Sequence, residues 1–555
     1  MLLKELLEDS SHVVLRGSED IELQGITADS RDIEPGMAFF CMAGATCDGI
    51  NYLAEALKKG TVAVIADRGG EWQSDAIRGT EEDWQSSERI AKIISMADGR
   101  EAAMEESVKV KALEPKVLEA KAMTTKAGEE ACDEKIRQVA VILVEDVRRA
   151  LALASDKWFG HPSRELVTVG ITGTKGKTTT TYLIKSILEN AGRKVGLIGT
   201  NEVIIGRRHL EAGNTTPDAL LLQSLLRQMA DEGLDTVVME VSSQALKLHR
   251  TDGIFFDYGI FTNLSPDHVA PGEHRDFEEY LECKRRLFQQ CRIGIVNGDD
   301  PYVARITEGH TCALETFGMK DGNMLQAQNV MMEQREDKLG VQFHVTKEAD
   351  FDAWIPMPGR FSVYNALAAI SLCRHFHVRE SDIQRSLRAA KVKGRIEVAL
   401  VKKEYAVIID YAHNPMALAS LLETLRDYTK GRLICLFGCG GNRPVMRRRM
   451  MGRISGEMAD LTIVTDDNPR DEDPEIIRAQ IAEGVEEVEG DYVVIAGRRE
   501  AIRYALSQAR AGDLIVLAGK GHETYQEIRG QKLPMDERSI IREMENETCN
   551  MRTSL

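Results

Sequence analysis

The stretch LVTVGITGTKGKTTTTYLIKSILEN, residues 166 to 190, sets the reading of the whole chain. Leu166 to Val169 is a β-branched run of strand length, and Tyr182, Leu183, Ile187 and Leu188 recur at helical spacing. Strand, glycine-rich turn and helix therefore follow one another. Gly173 and Gly176 let the backbone turn tightly, so that successive N–H groups and the helix N-terminus converge on one point, the geometry that cradles a phosphate. Lys177 adds a point charge against β/γ oxygens, and Thr178 offers a hydroxyl to Mg²⁺. The usual pattern has a glycine five residues before Gly176. Here Ile171 stands there, with glycines at 170 and 173, so the loop is a variant P-loop. A glycine-rich loop with an unrelated lysine is the plainer alternative, and the flanking strand and helix argue against it.

Outward from this loop, Val195 to Ile198 is a second strand in βαβ order, and a right-handed crossover makes the two parallel with the loop at their carboxyl ends. Thr215 and Thr216 lie in the turn GNTTPDA before a helix from Leu220 to Met229; they are turn residues by default, yet paired hydroxyls there can meet an anionic substrate. The strand from Thr236 to Met239 delivers Glu240 at its carboxyl end, where a carboxylate facing Lys177 and Thr178 suits Mg²⁺; the alternative is an ordinary surface glutamate. Asp257 to Thr262 leads into NLSPDHVAPGEHRDF, bringing Asp267 and His268 to the same edge. His268 and His274 have no zinc spacing with any cysteine, though one histidine can ligate a divalent ion beside phosphates. Lys284 shares a helix face with Tyr280 and Phe288, and sequence physics alone leaves it solvated. Asn297, Asp299 and Asp300 follow in a polar turn. Residues 316 to 354 read as mostly short strands. Asn365 falls early in a helix after Gly359, where it either faces water or makes a side-chain bond that matters.

Five hundred and fifty-five residues are too many for one core and predict three or four domains. A net charge of −17 argues against a non-specific nucleic-acid surface. The ten cysteines include no C-x-x-C pair, which indicates reduced, mostly structural thiols. The start MLLKELLEDSSHVVL is too acidic for a signal peptide and no run of eighteen apolar residues occurs, so a cytoplasmic protein without stable membrane association is expected. In the first region, TADSR places Ser30 beside Arg31 on a loop; the pair can hold a diphosphate, although a solvated turn is the ordinary reading. From about 67 to 135 the chain is rich in Glu, Lys, Met and Ala with alternating charge, and reads as a solvated insertion. Trp158 to Gly160 is a candidate linker. Beyond a boundary near Lys393, strands at 405–409, 432–437, 461–465, 492–496 and 514–518 alternate with helices and each ends in polar or glycine residues, so one end of a second α/β sheet is expected to face a substrate.

In chain order the motifs TADSR, GTKGKTTT, NTTPD, MEVSS, FTNLSPDH, PGRFSVYN, DYAHNP, GCGG, DDNPR and GKGHE resemble those of the Mur ligases, and among them the ligases that add the third residue of the peptidoglycan stem peptide. The resemblance covers nearly all the chain except the insertion. It implies an α/β protein of three domains: a UDP-MurNAc-binding domain over 1–155, a central P-loop ATPase with a parallel sheet over 156–393, and a Rossmann-like amino-acid-binding domain over 394–555. It implies ATP and Mg²⁺ as cofactors, a UDP-N-acetylmuramoyl dipeptide and a diamino acid as partners, no nucleic acid, and a monomer. Gly173, Thr174, Lys175, Gly176, Lys177, Thr178 and Thr179 would hold the ATP phosphates, and Asn297, Asn365, Arg395, Asp410, Tyr411 and His413 the rest of the nucleotide. Thr178, Glu240 and His268 would ligate Mg²⁺, and Lys284 would be the carbamylated lysine. Ser30 matches the uridine-diphosphate contact, and Thr215, Thr216, Ser242 and Arg250 the grip on the dipeptide. Arg448, Asp467, Asn468, Pro469, Arg470, Gly519 and Glu523 would take the amino acid, with the Arg470 guanidinium suited to the distal carboxylate of meso-diaminopimelate. The chain departs from the usual pattern at Lys175, Gln244, Arg449 and DHVAPGEH, which keeps open a paralogue adding L-lysine or another amino acid. Folylpolyglutamate and cyanophycin-type ligases share the central ATPase but are not expected to show TADSR or DDNPR in these settings.

Overall fold

A computed structural model describes residues 1–42, 49–68, 139–266, 273–335, 338–392, 397–402 and 405–553. The insertion expected at 67–135 lies, after Arg68, outside the described residues. So do His268, Arg395 and Asp267.

Among the described residues the backbone builds an N-terminal five-stranded sheet, a central eleven-stranded sheet, a C-terminal six-stranded sheet and a separate two-stranded ribbon. In the first, Gly25–Thr27, Met37–Cys41, Ala63–Asp67 and Ala140–Val144 run parallel, and His12–Arg16 closes the edge antiparallel. The helix Val147–Trp158, capped by Asp146, covers it. That helix continues through Trp158, where a linker was expected, because Ala150, Leu151 and Ala154 keep packing on the sheet.

The central sheet is ordered around Val167–Thr172, flanked by Thr236–Glu240 on one side and Phe256–Phe261 on the other, all parallel. Both faces are covered, which is why these strands read as continuous apolar runs. On one face Leu183, Ile184, Ile187 and Leu188 of the helix Lys177–Asn190 pack with Ala366 to Cys373 of the helix Arg360–His375. Antiparallel hairpins extend both edges. Glu202–Ile205 with Arg208–Glu211 was not legible in the sequence, since its outer strand is exposed throughout and lacks alternation. Leu325–Arg335 with Lys338–Lys347 forms strands of 11 and 10 residues where mostly short ones were expected.

In the C-terminal sheet Tyr405–Asp410, Asp513–Ala518, Leu433–Phe437, Leu461–Val464 and Tyr492–Val494 are parallel, with Glu397–Val401 antiparallel at the edge. Parallel pairing puts DYAHNP, GCGG, DDNPR and GKGHE at one end of the sheet, as their polar strand ends predicted. No helix among the described residues is long and apolar enough to cross a membrane.

Candidate functional site

The loop after Val167–Thr172 is fixed by its neighbours. Thr174 N–H donates to the Asn263 carbonyl (2.8 Å), Lys175 N–H to Asn263 Oδ1 (3.0 Å), and Thr262 Oγ1 to the Lys175 carbonyl (2.7 Å). Two glycines are obligatory. Gly173 has φ +146° and a Cβ there would sit 2.0 Å from Thr262 Oγ1; Gly176 has φ +87° and a Cβ would sit 2.3 Å from Asn365 Oδ1. Asn365 is thus buried against the loop, with Oδ1 also accepting from Thr180 Oγ1 (3.4 Å), which answers the question its helix position raised. Lys177 Nζ folds over the loop onto the Gly173 and Thr174 carbonyls (2.8 and 3.2 Å).

Glu240 is 1% exposed, so it is no surface glutamate. It accepts from Thr178 Oγ1 (2.9 Å), Thr200 N–H (2.8 Å) and Thr200 Oγ1 (3.1 Å). A threonine hydroxyl and a carboxylate meeting beside a phosphate cradle are the hard oxygen donors that Mg²⁺ takes, and the pair fits that ion. Lys284 is equally buried at 1%, contrary to the solvated lysine expected from helix position alone. Its ammonium donates to the Gly173 carbonyl (3.0 Å) and lies 4.5 Å from the Tyr280 ring centroid, while Tyr280 Oη bonds Thr174 Oγ1 (3.0 Å). The helix Phe277–Arg285 turns that face inward, because Tyr280, Leu281 and Cys283 are needed in the core.

The loop, Glu240, Lys284, Thr215, Ser242, Arg250, Asn297 and Asn365 line one cleft of about 1010 Å³ with Asp410, Tyr411 and His413 from the C-terminal part. The Tyr411 ring packs at a tilt against those of His413 and His522 (centroids 4.6 and 4.8 Å, planes 56° and 47° apart). Asp410 Oδ1 accepts from Ala412 N–H (2.8 Å). Burial lowers the Arg250 guanidinium from its ordinary value, opposed by Asp218; a guanidinium stays charged nonetheless, and it donates to the Thr216 carbonyl (2.8 Å). Thr216 is fully buried, its hydroxyl spent on the Glu240 carbonyl (2.9 Å) and on Ser242 N–H (3.1 Å). Ser242 caps the helix Ser243–Lys247, and Asn297 braces the Thr262 carbonyl (2.8 Å).

A second group gathers on the C-terminal sheet. Asn468 Nδ2 donates to Glu523 Oε2 (2.9 Å), Gly519 at φ +109° leaves room for Asp467, and Arg470 at φ +51° follows Pro469 with Nε on Glu527 Oε2 (3.0 Å) and Nη1 on the Gly441 carbonyl (2.8 Å). Arg448, expected with them, is 1% exposed and spends its guanidinium on Glu472 (2.7 Å) and Gln480 (2.8 Å) beneath the loop. The helix Val445–Met458 points position 448 inward. In the N-terminal sheet Ser30 is buried, and Lys59 Nζ donates to its carbonyl (2.8 Å). Arg31 is held by Asp29, whose carboxyl its side-chain and backbone hydrogen bonds pull down to about 2. Sequence reading missed Asn263 and Thr262 as loop braces, Thr200 as a partner of Glu240, and Lys520 and Glu527 in the C-terminal group. Lys520 had a signal: a lysine between glycines at a strand end, as in the P-loop itself.

Such a fold, with an ATPase-type loop on a central parallel sheet and polar strand ends on a second, defines the class, and the chain matches it in all three parts: the Mur ligase family catalytic domain over 22–156, the Mur ligase middle domain over 171–373, and the Mur ligase glutamate ligase domain over 394–521. The chain belongs to the Mur ligase family. It is 38% identical over 545 residues to the UDP-N-acetylmuramoyl-L-alanyl-D-glutamate–2,6-diaminopimelate ligase of Caldanaerobacter subterraneus subsp. tengcongensis, covering 98% of this chain and 99% of that one. With the ligase of the same name from Clostridium perfringens it shares 35% over 548 residues, 98% and 99% covered. A solved structure of a UDP-N-acetylmuramoyl-L-alanyl-D-glutamate–2,6-diaminopimelate ligase superposes with a TM-score of 0.63 at 24% identity, covering 99% of each chain, a likeness of fold.

Proposed function

We propose that the protein is an ATP-dependent ligase joining the amine of meso-diaminopimelate to the D-glutamyl carboxylate of UDP-N-acetylmuramoyl-L-alanyl-D-glutamate. One observation carries the reading beyond the likeness to named relatives: the phosphate loop, the Thr178–Glu240 pair and Arg250 open into the same cleft as Asp410, Tyr411 and His413. Residues 1–155 are assigned to the UDP-sugar, 156–393 to ATP and 394–555 to the amino acid.

The reaction needs two anions brought together. A substrate carboxylate attacks the γ-phosphorus of ATP, giving an acyl phosphate and ADP; the amine then attacks the acyl carbon, and the tetrahedral intermediate collapses with loss of phosphate. Lys177 and the Gly173–Thr179 backbone orient the phosphates, and Arg250 offers its charge to the substrate carboxylate. Mg²⁺, when bound, neutralises phosphate charge, and Thr178 and Glu240 would hold it. Lys284, held out of water against the Gly173 carbonyl, is the amine assigned to carbamylation, which would exchange its positive charge for a negative one. Asp467 and Glu523 receive the incoming amine end, with Asn468 bracing Glu523, and Arg470 the distal carboxylate, since Nε and one Nη1 hydrogen are already used within the fold and the outer edge of the guanidinium remains.

The test is phosphate release from ATP with the UDP-linked dipeptide, supplied separately with diaminopimelate, lysine and ornithine. Release that requires diaminopimelate is expected. Arg470→Ala should erase the preference for diaminopimelate over lysine. Amine-independent release, or release with lysine alone, would overturn the assignment.

A further inference from the structure

Lys520 is completely buried, a position lysine takes only when paired. Its ammonium donates to Asn468 Oδ1 (2.7 Å) and to Glu523 Oε2 (2.8 Å) and stands 3.7 Å from Asp467 Oδ1. Asn468 returns a bond from Nδ2 to the same Glu523 oxygen (2.9 Å), so the three side chains close a triangle. The triangle also fixes the Asn468 amide: Oδ1 takes the ammonium together with the Glu527 N–H (2.9 Å), and Nδ2 faces the carboxylate. Lys520 and Glu523 follow the strand Asp513–Ala518, whereas Asp467 and Asn468 follow Leu461–Val464, and in the sheet Leu433–Phe437 lies between those strands. Lys520 therefore spans loops launched from strands that do not touch. Through the Glu527 N–H the same network reaches the ribbon strand Tyr525–Ile528, whose Glu527 carboxylate holds Arg470.

We infer that Lys520 is a positioning residue for amino-acid recognition, its buried ammonium locking Asn468 in place and setting Glu523 and Asp467 where an incoming ammonium group meets them. The inference rests on the functional reading above. Without that charge two carboxylates and an amide oxygen face one another with no cation between them, and they separate. The lysine itself is below the surface and touches no substrate; it acts by holding apart from solvent, and together, the groups that do.

The experiment compares wild type with Lys520→Met, which keeps nearly the length and removes the charge, and with Lys520→Gln, which keeps a neutral N–H donor group. Steady-state constants are measured for ATP, the UDP-linked dipeptide and diaminopimelate. The expected result is a KM for diaminopimelate raised about tenfold or more, with the KM values for ATP and dipeptide and the kcat at saturating amino acid changed by less than about twofold. An unchanged KM for diaminopimelate, a parallel shift of all three KM values, or failure of both variants to give soluble protein would each overturn a positioning role. If wild type itself shows no diaminopimelate-dependent phosphate release, the functional reading fails and the inference with it; an active wild type with an unaltered Lys520→Met isolates failure to the inference.

Discussion

Gly176 tolerates no side chain on two independent grounds, its φ of +87° and the Asn365 oxygen that a Cβ would meet at 2.3 Å. Gly176→Ala should therefore leave a folded protein whose ATP-dependent phosphate release falls by about a hundredfold or more, because the misplaced loop no longer presents its N–H groups together. Glu240→Gln keeps the shape and, through its one remaining oxygen, the bonds from Thr178 Oγ1 and the Thr200 N–H, but loses the charge. It should raise the Mg²⁺ concentration required for half-maximal activity by about tenfold or more while leaving the melting temperature nearly unchanged. Cys283, Cys291, Cys312, Cys373, Cys435 and Cys439 are buried thiols, and burial pushes that of Cys439 up to about 12. At this scale the sequence was legible where backbone chemistry dictates the residue, as at Gly173 and Gly176. It was silent on Lys284 and Lys520, since burial of a lysine depends on what other segments bring against it.

At the scale of elements, the C-terminal sheet is pinned at the start of its central strand. Asp513, nearly inaccessible, accepts from the Arg432 side chain (2.6 Å) and from the Arg432 and Arg510 N–H groups (2.8 and 2.9 Å). Burial by itself raises its carboxyl, but the bonds from Arg432 and Arg510 outweigh it and the net direction is down. A carboxyl lowered in the folded state stabilises above its unfolded value, about 3.9, and that contribution disappears as pH falls through the folded value. Asp513→Asn should cost on the order of 3 kcal/mol at pH 7, and its melting temperature should fall less steeply between pH 5 and pH 2, roughly the window of carboxylate titration, than that of wild type. Thermal unfolding across that range checks both. Strand and helix positions in this region were legible because apolar runs of strand length end in glycine or polar residues. The hairpin Glu202–Glu211 was not, because an edge ribbon open to solvent needs no apolar alternation.

For the whole molecule, the cleft belongs jointly to the central sheet and to Asp410, Tyr411 and His413 from the C-terminal one. If both sheets hold the nucleotide, a non-hydrolysable ATP analogue with Mg²⁺ should raise the unfolding temperature of each. At about a hundred times its Kd it adds about 2.7 kcal/mol to the cooperative unit that binds it. Calorimetry resolving separate transitions should show the C-terminal transition moving as well; movement of the central one alone would assign the cleft to a single sheet. Lys532 Nζ on Glu211 Oε1 (3.1 Å) joins the two-stranded ribbon to the central hairpin, but both side chains are exposed, and such a pair contributes little.

Sequence alone determined the parts that local rules govern: the phosphate loop, from glycines that only special φ values require; the parallel strands, from apolar runs buried on both faces; and the ten ordered motifs that placed the chain among the Mur ligases. It also singled out Glu240 at a strand end and Thr178 in the first turn of a helix, which parallel topology brings together beside the loop. Only tertiary structure decided how those residues are spent. It put Thr216 and Arg448 into bonds within the fold, turned Lys284 inward against Tyr280, and set Lys520 between two loops whose strands are not neighbours. The reason is physical: spacing along a chain records which groups can serve a local turn, whereas burial and pairing of a charge depend on segments tens to hundreds of residues away.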